Sequence, residues 1–268
     1  MGIKIVDWHK PRQAARMRAA KGIEYVTFDD ISSIPEGDVL LVPASWWYKE
    51  KYKKHALAAN AFNGLLVMVD YGREFEVKHD NVTGIKPYAV AMMDDSNPNG
   101  VRTFPFSLPS FDPHPDYERV EACCIKPLVL VTIGAPDWEL TKSLIKYFAE
   151  DVSMVWKLRS KHHNGLEIYK KVLPKSTKIL APARKDYNDE ISMVEEWASI
   201  VNMHVSIGRL SVANQEMVRY GVPTHIWDGK RLDTHKRIEL TRKYYEGKPN
   251  DYCVQNLIRN IRENINTR

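Results

Sequence analysis

From Met203 to Asp228 the chain runs MHVSIGRLSVANQEMVRYGVPTHIWD. Its pattern predicts strand, tight loop, short helix, glycine stop and a second strand. His204-Val205-Ser206-Ile207 is a short β-prone run that Gly208 ends, and Ser211 is placed to cap a helix. Ala213, Met217 and Tyr220 then form one apolar stripe at i, i+4 and i+7. Gly221 stops the helix and Pro223 prevents its resumption. Glu216 lies on the same helical face as Val212, five residues before Gly221. A carboxylate behind a loop with outward-pointing N–H groups suits a ligand that carries both a diol and a phosphate. The helix N-terminus receives the anion, and the carboxylate accepts hydrogen bonds from the hydroxyls.

This order resembles the donor-binding segment of GT-B glycosyltransferases: strand, glycine-containing loop, helix with a Glu, Gly-x-Pro and strand. The resemblance implies that Glu216 holds the ribose of a nucleotide sugar. It also implies donor contacts at Gly208, Arg209 and Ser211, and at Gly134 in the loop after an earlier strand. The usual family pattern has a second Gly or a Thr in the loop. Here Gly208-Arg209-Leu210-Ser211-Val212 stands instead, about two residues longer than in many relatives, which weakens the phosphate contacts more than the ribose contact. The competing reading of the same residues is an ordinary α/β crossover with a solvated Glu.

Working outward, the C-terminal half continues the α/β alternation. Leu128 to Ile133 is an apolar strand, and a helix follows from Asp137 to Glu150 with Leu140, Leu144, Ile145 and Phe148 on one side. Strands follow at Val152 to Trp156 and Lys178 to Leu180, then a helix at Glu190 to Val201. The N-terminal half has strands at Ile3 to Val6, Glu24 to Phe28, Asp38 to Pro43, Leu65 to Val69 and Tyr88 to Met92, with a basic helical stretch at Pro11 to Lys21. The continuous apolar run Val39-Leu40-Leu41-Val42 suits a strand covered on both faces, hence a parallel sheet. Asp7, Asp70 and Asp94 follow three of these strands and gather at the edge where open α/β sheets bind ligands.

A composition shift from Thr103 to Pro127, rich in Pro and Phe, marks the connection between the halves. The expected organisation is an N-terminal Rossmann-like domain over 1–107, a connection over 108–127 and a C-terminal Rossmann-like domain over 128–250. Within that last domain, Lys230 to Lys248 reads as a charged segment. A terminal helix over 251–268 is expected to return to the first domain, as the last helix commonly does in GT-B proteins. The fold class is thus α/β, two Rossmann-like domains facing a central cleft, GT-B-like.

The totals fit this reading. The chain has 268 residues, a 44% hydrophobic fraction, 27% charged residues and a net charge of +5, which favours an acidic partner such as a nucleotide or nucleic acid. Its 3 cysteines have no spacing suited to a zinc site or a disulfide framework, so a reducing compartment is expected. With no apolar run of membrane-spanning length and no signal-peptide core, the expected location is the cytoplasm, the host's if the chain is phage-encoded.

No Asp-x-Asp occurs, which argues against a metal-dependent donor site, and adjacent His162 and His163 lack a third ligand at fixed spacing. No metal and no cofactor besides the nucleotide sugar are expected. The resemblance places cations on the leaving diphosphate, for which Arg159, Lys161 and Arg209 are the candidates against a solvated basic loop. An inverting transfer needs a base, and Asp70 leads, followed by Asp94, Asp7 and His9, each of which also reads as a cap or loop residue.

Trp46 to His55, WWYKEKYKKH, interleaves Trp46 and Trp47 with Lys49, Lys51, Lys53 and Lys54. That is the mixture of a nucleic-acid surface, or of an amphipathic helix with buried aromatics. The short length, basic balance and this segment resemble bacteriophage enzymes that glycosylate modified bases in DNA. The expected activity is therefore sugar transfer from a UDP-linked donor to an acceptor hydroxyl, with double-stranded DNA as the acceptor. The alternative is a non-catalytic nucleic-acid-binding protein on a Rossmann-like scaffold.

Overall fold

The structure, a computed structural model, describes residues 1–6, 22–70, 80–93, 100–106, 126–133, 137–149, 151–157, 171, 173, 178–180, 197–198, 200–208, 210–248 and 250–265. The basic stretch at 11–21, most of the 108–127 connection and most of the 190–201 helix lie outside the described residues. By its internal contacts the chain divides into two units, Met1–Pro113 with Lys248–Arg268, and His114–Gly247.

The first unit holds a parallel sheet of β1 (Ile3–Val6), β2 (Ile23–Val26), β3 (Val39–Pro43), β4 (Leu65–Val69), β5 (Ala89–Ala91) and β6 (Thr103–Phe104). The order is β2-β1-β3-β4-β5-β6, with Ile3 opposite Ile23 and Leu41 opposite Val67. All of β3 is buried, as its unbroken apolar run requires. Leu40, Val42, Leu66 and Met68 point to one face, where Trp46, Tyr52, Ala56 and Ala59 cover them. The last two lie on α1 (Lys53–Asn60).

Thr103–Phe104 starts the Pro-rich stretch, yet it joins the sheet as an edge strand with Phe104 and Phe106 buried. The segment at 103–106 therefore belongs to the first sheet and not to the connection. The last helix, Asn250–Ile265, packs Cys253, Val254, Leu257 and Ile261 inward. Its Asn264 Oδ1 accepts from Arg102 Nη1 at 3.3 Å, and Arg102 also donates to Tyr88 Oη at 2.8 Å.

The second unit holds β7 (Leu128–Ile133), β8 (Ser153–Lys157), β9 (Lys178–Leu180), β10 (Met203–Ile207), β11 (Thr224–Trp227) and β12 (Leu232–Asp233) in the order β12-β11-β10-β7-β8-β9. All pairs are parallel except β11 with β12. Read in chain order from β7, this is the 3-2-1-4-5-6 arrangement of a dinucleotide-binding Rossmann sheet. Successive β7 residues face opposite sides. Val129, Val131 and Ile133 meet Leu144 and Phe148 of α2 (Trp138–Phe148), whereas Leu128 and Leu130 meet Met217 and Val222.

Asp137 caps α2, its Oδ1 accepting the Leu140 N–H at 2.9 Å. α3 (Val212–Arg219) closes with Gly221 N–H on Val218 O at 2.9 Å and Val222 N–H on Met217 O at 3.0 Å. That pair of bonds is the Schellman stop which Gly221 predicts. The segment read as merely charged, Lys230 to Lys248, contains β12 and the helix α4 (Lys236–Tyr245), followed by α5 (Asn250–Ile265). Ile238, Thr241 and Tyr245 give α4 a buried stripe at i, i+3 and i+7 among its Lys and Arg residues.

His204 is fully buried on β10, with Nε2 2.9 Å from Thr132 Oγ1 on β7. Burial, with repulsion from His225 and Lys157, lowers its pKa from 6.5 to about 3. Below pH 6.5 the unfolded chain therefore binds a proton at His204 that the native chain refuses, so native stability falls as pH drops from 6.5 towards 3. We expect urea unfolding to show a loss from this group approaching ~1.4 kcal/mol per pH unit. His204→Gln, which keeps a hydrogen-bonding group but does not titrate, should flatten the curve, and an unchanged slope would assign the titration elsewhere.

Candidate functional site

The strand order of the second sheet reverses between β7 and β10, and open α/β sheets bind ligands outside the carboxyl ends of strands at such a point. The β10 end supplies Gly208, Leu210, Ser211 and the first turn of α3. Gly208 turns the chain at φ +73° and donates its N–H to Trp227 O at 3.0 Å, tying the loop to β11. Ser211 is the N-cap, in a capping box with Asn214. Asn214 Oδ1 accepts from the Ser211 N–H at 2.7 Å and from Ser211 Oγ at 2.8 Å. Its Nδ2 donates to Ser206 Oγ at 2.9 Å and to His225 O at 3.4 Å. One fully buried amide thus joins the loop to β10 and β11. The sequence does not single out Asn214, because the capping-box signal is a Glu or Gln three residues after the Ser and the shorter Asn fills that place here.

Behind this loop α3 is enclosed on both sides. Leu210, Val218, Ile226 and Ile238 form one cluster, and Met217 and Val222 belong to the other. Glu216 is only 4% exposed, so the alternative of a solvated Glu does not hold. Gln215, Arg219 and Arg237 of α4 are buried as well. Buried charges persist only where polar groups or opposite charges compensate their lost hydration. Glu216 and Arg219 of α3 and Arg237 of α4 are this unit's buried charged residues among those described.

Asp70 follows β4 at the carboxyl edge of the first sheet, buried at 1% exposure, with its N–H donating to Ala91 O at 2.9 Å. The other sequence candidates Asp94, Asp7, His9, Gly134, Arg159, Lys161 and Arg209 lie outside the described residues. Trp46 and Trp47 require a correction. At 2% and 9% exposure they are core residues, with the Trp46 ring 6.0 Å from that of Tyr52. Their burial against the first sheet leaves no face on which a base can stack, in agreement with the buried-aromatic reading of that segment. The chain there is not one helix but two 3₁₀ turns, Ala44–Trp46 and Glu50–Tyr52, leading into α1.

Of the four lysines, Lys51, Lys53 and Lys54 are exposed. Lys49 is half-buried over the Tyr48 ring at 5.3 Å, and Lys53 pairs with Glu50 at 3.3 Å. Among the described residues no group of three or more His, Cys, Asp or Glu could hold a metal ion, and no helix is long and apolar enough to cross a membrane.

No protein-family model matches the sequence, and no curated protein matches it. Among solved structures, the UDP-GlcNAc 2-epimerase from Neisseria meningitidis bound to UDP-GlcNAc is similar, with a TM-score of 0.52 and 11% identity over 100% of this chain and 92% of that one. Another UDP-N-acetylglucosamine 2-epimerase has a TM-score of 0.47 and 13% identity, covering 97% of this chain and 86% of its own. The glycosyltransferase SnogD from Streptomyces nogalater has a TM-score of 0.47 and 10% identity, covering 96% and 99%. The fold is α/β with two Rossmann-like, GT-B-like units.

Asn214→Ala removes the cap partner of Ser211 and the amide that donates to the Ser206 hydroxyl. It should destabilise the protein by ~1–3 kcal/mol in urea unfolding. A loss within error of zero would show that the loop is held without it.

Proposed function

We propose that this chain is a glycosyltransferase that binds a UDP-linked sugar at the carboxyl edge of its second sheet and transfers the sugar to an acceptor hydroxyl. The observation that carries the reading is the buried Glu216 carboxylate on the helix that opens at the strand-order reversal. A carboxylate accepts from both hydroxyls of a ribose, and the capped N-terminus of α3 favours the negatively charged diphosphate. As the anomeric C–O bond breaks, its electron pair goes to the diphosphate, whose added charge the loop amides stabilise more in the transition state than before it. Arg209, Arg159 and Lys161 are the proposed cations for that charge. Asp70 is the proposed base, taking the proton of the attacking hydroxyl. Neither a metal nor a further cofactor is needed in this scheme.

The proposed acceptor is a hydroxymethylated base in phage DNA. Trp46 and Trp47 are left out of that contact because they are core residues. The exposed Lys51, Lys53 and Lys54 remain to meet phosphates. A second reading keeps the donor site but epimerises the sugar, as the fold neighbour bound to UDP-GlcNAc is named for doing. Transfer releases free nucleotide in step with a glycosylated acceptor, whereas epimerisation yields a changed nucleotide sugar with no acceptor present.

Calorimetry with UDP, GDP and oligonucleotides tests the donor reading. UDP should bind the parent, and Glu216→Ala should weaken it by ~1.5–3 kcal/mol, the contribution of hydrogen bonds to a charged acceptor. Glu216→Gln serves as a variant that keeps the side-chain shape. Binding of oligonucleotide alone would replace the enzyme with a nucleic-acid-binding protein. For the base, Asp70→Asn should lower kcat by about 10²- to 10⁴-fold with UDP affinity kept, and near-normal turnover would remove Asp70 from that role.

A further inference from the structure

Two turns at the carboxyl edge of the second sheet meet a single side chain. Gly208 closes β10 at φ +73° and Gly229 turns the chain after β11 at φ +103°. A Cβ built on Gly208 would stand 3.1 Å from Leu140 Cδ1, and one built on Gly229 would stand 2.8 Å from Leu140 Cδ2. The branched end of Leu140 thus occupies the space that both absent side chains would need.

Leu140 itself is held firmly for a half-buried residue. Its N–H is capped by Asp137 Oδ1 at 2.9 Å, and its carbonyl accepts from Ser143 Oγ at 3.0 Å. Ser143 Oγ in turn accepts from Trp227 Nε1 at 2.9 Å, while the Tyr147 ring lies 4.8 Å from that of Trp227. Trp227 O receives the Gly208 N–H, and the next residue, Asp228, fixes the Gly229 turn. Asp228 Oδ1 accepts the N–H of Lys230 at 2.8 Å and of Arg231 at 2.9 Å. One face of α2 therefore grips the ends of both strands, and Leu140 is the point at which the two turns converge.

We propose that Leu140 is a positioning residue that seats the β10 loop against the β11 turn and holds the loop amides where they meet the donor diphosphate. The inference rests on the donor reading above, in which Leu140 itself touches no ligand. Oriented amides stabilise developing charge only when held in place beforehand, so a wedge under the loop governs affinity without contact. The two glycines follow from the same arrangement. Each gives the turn its positive φ, and each leaves room for one methyl of the wedge.

Hydrogen exchange and UDP calorimetry on the full chain test this together. Leu140→Ala should speed exchange by about tenfold at Gly208, Leu210 and Ser211 and in the 228–231 turn, leaving the interior of β7 and β10 protected. The same variant should bind UDP about tenfold more weakly. Leu140→Met, which refills the space, should recover most of both effects. Gly229→Ala should weaken UDP binding in the parent and do so less in the Leu140→Ala background, because the clash has been removed there. Unchanged exchange at both turns, or effects of Leu140→Ala and Gly229→Ala that simply add, overturns the wedge. A parent that binds UDP together with a Leu140→Ala variant that binds it equally also overturns the wedge alone, whereas a parent that binds no nucleotide overturns the donor reading on which it stands.

Discussion

Burial of parallel strands on both faces is the constraint from which the rest follows. β3 and β7 are buried along their whole length, so their side chains are almost all apolar and their polar neighbours are displaced to the strand ends. β10, by contrast, buries polar residues along one face. Val205 and Ile207 pack with the α2 side, but His204 and Ser206 point to the opposite face and are completely or almost completely buried. A polar group in such a place needs a partner. His204 has one in Thr132 of the neighbouring strand, and Ser206 receives the Asn214 amide from α3. The half-polar strand and the polar helix are therefore one structural unit, and the loop that joins them is positioned by that match.

The same match explains why α3 differs from an ordinary crossover helix. An amphipathic surface helix buries one stripe and hydrates the other. α3 instead buries Asn214, Gln215, Glu216, Met217, Val218 and Arg219 in succession, since α4 covers the side that would otherwise face water. Gly247 N–H on Arg219 O, at 3.0 Å, anchors the segment after α4 to the end of α3. Replacing buried ionic groups by apolar ones of similar shape is often neutral or stabilising. The burial of Glu216, Arg219 and Arg237 is thus weak evidence that they stabilise the fold.

Much of this was legible from local pattern. β1, β4, β7 and β9 have the limits their apolar runs predict, and Gly208, Ser211 and Gly221 mark the ends of β10 and α3 as their backbone chemistry requires. Less legible were elements whose signal is weak or mixed with another. β6 is only two residues long and opens a Pro-rich stretch, so composition hid it. α4 has a readable stripe at Ile238, Thr241 and Tyr245, but the density of Lys, Arg and Glu around it suggested solvated chain. Trp46 and Trp47 show the limit of composition most directly. Aromatics among lysines describe a base-stacking surface and a snorkelling core equally well, and only the sheet beneath them decides between the two. The burial of Glu216 was not legible either, because it depends on α4, an element that was not recognised.

Two similar sheets leave the question of which edge receives the anion in the proposed scheme. In the second unit four residues, Gly208 to Ser211, separate β10 from a capped helix that starts at the strand-order reversal. In the first unit the described chain beyond β3 turns instead into the 3₁₀ segment Ala44–Trp46, which buries all three of its residues in the core. α1 starts only at Lys53, with Lys53 and Lys54 in a first turn that has no acidic residue. Two cations at that end oppose the helix dipole by ~0.3–1 kcal/mol each, and Glu50 offsets one of them by pairing with Lys53. That helix start lies nine residues, Ala44 to Tyr52, beyond the end of β3, against four between β10 and α3. In the proposed scheme the diphosphate meets the amides that follow β10, whereas the first unit offers the exposed charges of Lys51, Lys53 and Lys54. Under that proposal, the division of labour between donor and acceptor follows from how each sheet hands its strand to the next helix.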